Sequence, residues 1–129
     1  MRIAIALLMA LHATVHLIGF AAAYKLGPSI TFRQPISRAW GRAWLLVACA
    51  WGTTAVLYAA QIDTFWVVGA PASLASFVLV ARNYYEAKWG LLPNLILTFF
   101  VVFPLVSRLV GTAPEASSDA HPPSQSSPP

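Results

Sequence analysis

The stretch Ile3 to Tyr24, "IAIALLMALHATVHLIGFAAAY", decides the fold. Only Thr14 and the two histidines, His12 and His16, interrupt its 22 residues of otherwise apolar chain. About 20 residues at 1.5 Å rise cross about 30 Å of hydrocarbon, so the stretch has the length of a membrane span. A lone strand in lipid would leave its backbone groups unpaired, which makes the span a helix. Arg2, the apolar run and Ala21-Ala22-Ala23 also suit a cleaved signal peptide. The run exceeds the usual signal core of about 7–15 residues and carries two histidines, which favours a retained helix.

Three further segments follow, at about 43–60, 64–81 with an extension toward 86, and 91–110. Across 129 residues the chain is 58% hydrophobic and 9% charged, against about 25% charged in soluble domains. Its mean hydropathy is +0.67. So little polar surface cannot cover a soluble domain of this size. The expected fold is all-α: a four-helix transmembrane bundle over residues 1–111. From 112 onward "TAPEASSDAHPPSQSSPP" is rich in Pro and Ser; it reads as a disordered tail. The net charge of +4 is scattered between apolar segments, which does not make a nucleic-acid surface. Cys49 stands alone in an apolar run and reads as a packing residue.

With four crossings, both termini share one side of the membrane. Lys25, Arg33, Arg38, Arg42, Arg82 and Lys88 fall on the other. Basic residues favour the cytoplasm, so both termini are expected outside. Trp40 and Trp44, beside Arg38 and Arg42, read as interfacial anchors. Ala48, Gly52, Gly69, Ser73 and Ser76 read as small residues that let helices approach closely.

His12 and His16 lie four apart, one turn apart on one helix face. At mid-membrane depth such residues face the bundle interior or a wet cavity and mark function. One reading has them as neutral imidazoles bonded across helices to Thr53, Thr54, Ser73, Ser76 or Thr98. Another makes them metal ligands, but a site needs a third or fourth donor. His121 lies in the tail, leaving Cys49 and Glu86. Two histidines on one face cannot take opposite axial positions of a haem. A proton relay or quinone-type pocket uses imidazole's titration near neutral pH, and a small polar or lipid ligand completes the alternatives. Leu8, Gly19 and Phe20 should share the histidine stripe, whereas Ala13 and Thr14 should turn away from it.

The string "RNYYEAKWGLLPN" precedes the last helix. Tyr84, Tyr85 and Trp89 suit the headgroup zone, with Arg82, Glu86 and Lys88 paired or hydrated. Alternatively Glu86, Lys88 and Asn94 line a mouth above the histidines. Pro93 fits the first turn of the last helix, where Asn94 could bond free backbone groups.

"HATVHLIGF" and "YEAKWGLLPNLIL" together resemble a family of small, uncharacterised bacterial four-helix integral membrane proteins. That family shows H-x-x-x-H-L-x-G-F in its first helix and (D/E)-A-K-(F/W)-G-x-x-P-N before its last. "RAWGRAWLL", leading into the second helix, is similar to theirs too. The resemblance covers about residues 1 to 110. It implies the four-helix fold and brings no activity with it.

No nucleophile–base pair, phosphate loop or dinucleotide glycine pattern is present, so the reading leans away from an enzyme. The expected function is a binding or structural module for a small ligand, lipid or partner subunit, using the His12/His16 face. The alternative is a metal-handling, redox or proton-relay membrane protein with those histidines as ligands or relay groups. No cofactor is expected beyond that candidate metal ion. Faces of small residues leave room for a homo-oligomer.

Overall fold

Arg2–Tyr24 forms α1, Arg38–Ala59 α2, Phe65–Arg82 α3, the single turn Tyr84–Ala87 α4, and Leu91–Gly111 α5. Lys88–Gly90 is a 3-10 turn between the last two. These elements come from a computed structural model that describes residues 1–27 and 35–111, the side chains of Glu86 and Leu109 excepted. The expected tail at 112–129 and the middle of the first connection lie outside the described residues. Among those described, every regular element is helical. Four stretches, in α1, α2, α3 and Lys88–Arg108, are long and apolar enough to cross a membrane.

The ends of the helices explain themselves locally. Lys25 takes a left-handed conformation (φ 56°), which turns its own N–H to the Ala22 carbonyl at 3.3 Å and that of Leu26 to Ala21 at 3.0 Å. Gln61 does the same after α2 (φ 61°), with Ile62 N–H donating to Leu57 at 2.9 Å. Both closures satisfy carbonyls that a helix end leaves free. The Ser37 hydroxyl caps the start of α2 by accepting from Trp40 N–H at 3.4 Å.

The third segment does not run unbroken toward 86. Asn83 leaves helical geometry (φ −116°, ψ 39°), and its side-chain N–H donates to the Leu79 carbonyl at 3.0 Å. The chain then restarts as one turn. α2 begins at Arg38, five residues before the apolar segment, where the Ser37 cap starts the helix.

The helices pack as neighbours in chain order. α1 lies along α2, α2 against α3, and α3 against α5, while α1 and α5 barely meet. The buried stripe of α1 is Ile5, Ala6, Met9, His12, Ala13, His16 and Gly19, the spacing of one helical face. Gly19 is on the expected stripe, Leu8 and Phe20 are half-buried against the core and Thr14 turns outward, but Ala13 is buried as well: the face is wider than a single line of side chains. Outward positions such as Leu7, Leu11, Leu46, Leu74 and Phe99 are exposed and apolar, a surface suited to lipid.

Three packing expectations need correction. Trp44 is not an interfacial anchor: it is 3% exposed, on the inner stripe of α2 with Val47, Ala48, Trp51, Thr54 and Ala55. Only Trp40 sits at the bundle end, with the Arg82 guanidinium 4.3 Å over its ring. Cys49 faces outward, because α2 turns the Trp51 side of its surface inward. Gly52 brings no helix close: a methyl there would meet nothing within 4 Å. Gly69 does, since its methyl would lie 2.8 Å from Val101 and 2.9 Å from Thr54 side chains.

Candidate functional site

α1 holds His12 and His16 on its inner face at 3% and 2% exposure. α2 covers them with two indoles seven residues apart. The His12 ring meets Trp51 edge-on at 5.3 Å, and the His16 ring lies 5.2 Å from Trp44. Such aromatic pairs contribute about 0.5–1.5 kcal/mol beyond area burial. The two imidazoles are 4.7 Å apart.

α3 supplies the hydroxyl that joins them. Ser76 Oγ lies 2.9 Å from His16 Nε2 and 3.4 Å from His12 Nε2. His16 Nδ1 is 3.1 Å from the backbone carbonyl of His12. A carbonyl can only accept, so a neutral His16 carries its hydrogen on Nδ1 and its Nε2 is an acceptor. Ser76 therefore gives its one hydrogen to His16. Toward His12 it can then only accept, which places hydrogen on His12 Nε2 and leaves His12 Nδ1 with a bare lone pair. The result is one directed chain, from His12 to Ser76 to His16 and back to the backbone of α1. Of the candidate partners Thr53, Thr54, Ser73, Ser76 and Thr98, Ser76 is the one bonded to both rings. Thr53 is exposed, and Thr54 donates to Ala50 carbonyl at 2.8 Å. Ser73 joins Thr98, whose hydroxyl donates to the Asn94 carbonyl at 2.6 Å. That second chain ties α3 to α5.

Asn94 is 0% exposed beside His12. Neither its amide oxygen nor its nitrogen has a hydrogen bond of normal geometry, so it does not cap the start of α5 through its side chain. Its side chain interacts with the His12 imidazole. Lys88 is exposed, its ammonium 5.6 Å from the Trp89 ring, and stands apart from the histidines. Glu86 sits on the single turn α4, and its side chain lies outside the described residues. Cys49 points away from the bundle. Among the described residues no three of His, Cys, Asp and Glu come together as a metal would need.

Beside the imidazoles lies a cavity of about 250 Å³. α1 contributes His12, Val15, His16, Ile18 and Gly19; the opposite wall is Ala87, Trp89, Gly90 and Pro93, with Trp44 and Val80 between them. The two short strings singled out in the sequence, some seventy residues apart, therefore face each other across one space. Trp44 and Trp51 are the partners that sequence reasoning missed. Their seven-residue spacing, shared with Val47/Thr54 and Ala48/Ala55, was the available signal.

Fold and site together define a class: a helical bundle of membrane-spanning length with a hydrogen-bonded imidazole pair beside a half-open cavity. Comparison with protein-family models, curated proteins and solved structures gives no match.

Proposed function

We propose that the chain is a small-ligand-binding module of a bacterial inner membrane, with both termini outside the cytoplasm. The ligand occupies the cavity between α1 and the turn before α5, and the His12/His16 face reads its polar end. One observation carries this: the "HATVHLIGF" and "EAKWGLLPN" strings meet across a space of about 250 Å³ that both imidazoles line. Pockets with mostly apolar walls and a few convergent polar groups are the usual form of small-molecule sites. The resemblance to bacterial four-helix membrane proteins rests on those same two strings.

Naphthalene binding to the full chain in lipid nanodiscs tests the reading. Saturable uptake above empty nanodiscs, lost in Val15→Trp, is expected, because the indole would fill the cavity. No saturable uptake by the native protein would overturn it.

A second reading, proton relay, is favoured by the directed His12–Ser76–His16 chain: a proton arriving at His12 Nδ1 lets Nε2–H pass to Ser76 and the Ser76 hydrogen to His16 Nε2, leaving His12 neutral and His16 charged. The metal reading finds two donors together among the described residues, where three or four are needed.

A further inference from the structure

We infer that the cavity takes the hydroxyl-bearing ring of an uncharged, membrane-dissolved amphiphile. Resting on the binding reading above, this names the ligand class: the molecule enters sideways from the bilayer and presents its hydroxyl to His12.

The side of entry follows from which lining residues are also outer surface. Val15, Ile18 and Trp89 all line the cavity, yet they are 41%, 48% and 83% exposed. They mark the opening between α1 and the Lys88–Gly90 turn, beside the seam where α1 and α5 barely meet. That seam faces the position of lipid. A ligand arriving there comes from the hydrocarbon, and any alkyl remainder stays in it.

Size and charge narrow the head. An apolar cavity of about 150 Å³ holds benzene, so one of about 250 Å³ holds one or two fused rings. The Trp44 indole and Pro93 give it flat walls. No charged side chain of the described residues lines it, so a phosphate or carboxylate would be buried without a counter-charge.

Hydrogen-bond direction selects the hydroxyl. His12 Nε2 is committed as a donor to Ser76, and a neutral imidazole then offers only an acceptor at Nδ1. The buried Asn94 side chain lies against His12 without a hydrogen bond of normal geometry. A hydroxyl in the cavity matches that acceptor, donating to His12 Nδ1. An ether or a hydrocarbon cannot do so.

The test compares a dodecyl-naphthol with its O-methyl ether, each bound to the full chain in nanodiscs and corrected for partition into empty nanodiscs. The naphthol should bind about tenfold tighter, the upper range for one buried hydrogen bond. His12→Phe, which keeps an aromatic ring without an acceptor, should abolish that preference. Should this variant not fold, the comparison on the native chain decides by itself. Equal binding of naphthol and ether, with naphthalene still bound, overturns the hydroxyl assignment alone. A preference that survives His12→Phe overturns the role of His12. Failure of naphthalene and both probes overturns the binding reading and this inference together.

Discussion

The backbone of Gly19 lies flat against the Trp44 indole, so closely that a methyl group on Gly19 would overlap the ring. That contact draws α1 and α2 together at the level of His16. Gly19→Ala should destabilise the fold by about 1–3 kcal/mol, the range for overpacking a filled interior. Gly52→Ala is the matched control: its methyl meets nothing within 4 Å, and replacing a mid-helix glycine stabilises by about 0.5–1 kcal/mol. Reversible unfolding in mixed micelles reads both. Equal effects would contradict the contact.

Ser76→Ala removes the hydroxyl between the imidazoles. His16 Nε2 loses its donor and His12 Nε2–H its acceptor, so stability should fall by about 1–2 kcal/mol, somewhat above the average of about 0.6 for one interhelical membrane bond. Nitrogen chemical shifts give a sharper check. In the native chain His16 should carry hydrogen on Nδ1 and His12 on Nε2, and the substitution should scramble the His12 tautomer. The opposite assignment in the native chain would refute the directed chain.

Lys25→Gly should stabilise. Lys25 holds φ at 56°, a conformation that costs an L-residue about 1–2 kcal/mol and glycine almost nothing. A gain of up to about 1 kcal/mol is expected, because glycine also loses more freedom on folding. A loss would mean that the side chain itself anchors the end of α1.

Asp63→Asn should change little. The Asp63–Arg108 pair spans 3.7 Å with side chains 85% and 51% exposed, and exposed pairs contribute about 0–1 kcal/mol at most. A melting temperature shifted by more than a few degrees would show a larger role.

Reporter fusions at the C-terminus should be active outside the cytoplasm, and fusions after Lys25 or within the α3–α5 turn inside it. The basic residues Lys25, Arg38, Arg42, Arg82 and Lys88 motivate that orientation. The reverse pattern would refute it.

The membrane spans were legible because hydrocarbon imposes a length and forbids unpaired backbone, so α1 was placed to within one residue at its start. The break at Asn83 was not legible. It depends on a side-chain bond to Leu79 that competes with helix continuation. Ser76 stood among the expected histidine partners, but choosing it over Ser73, three residues away, requires the rotation of α3 against α1. Trp44 was misplaced because arginine neighbours suggested an interface, whereas the period of α2 turns it inward. Seen through that period, Trp44 and Trp51 belong with the core. The cavity arises between strings far apart in the chain, and no local pattern announces such a meeting.

Ser76 follows His16 by 60 residues and His12 by 64. On the ribosome α1 and α2 are therefore complete before their shared hydroxyl exists. During that interval His16 Nδ1 already has the carbonyl of its own helix, and Trp44 and Trp51 arrive with α2 to cover both rings. In an α1–α2 pair the indoles already cover one side of the imidazoles, and the side that meets Ser76 awaits α3. α3 then docks on an already assembled face, and α5, whose buried polar contacts run through Ser73 and Thr98, comes last. Chain order and spatial order coincide: each helix has its main contacts with its neighbour in sequence.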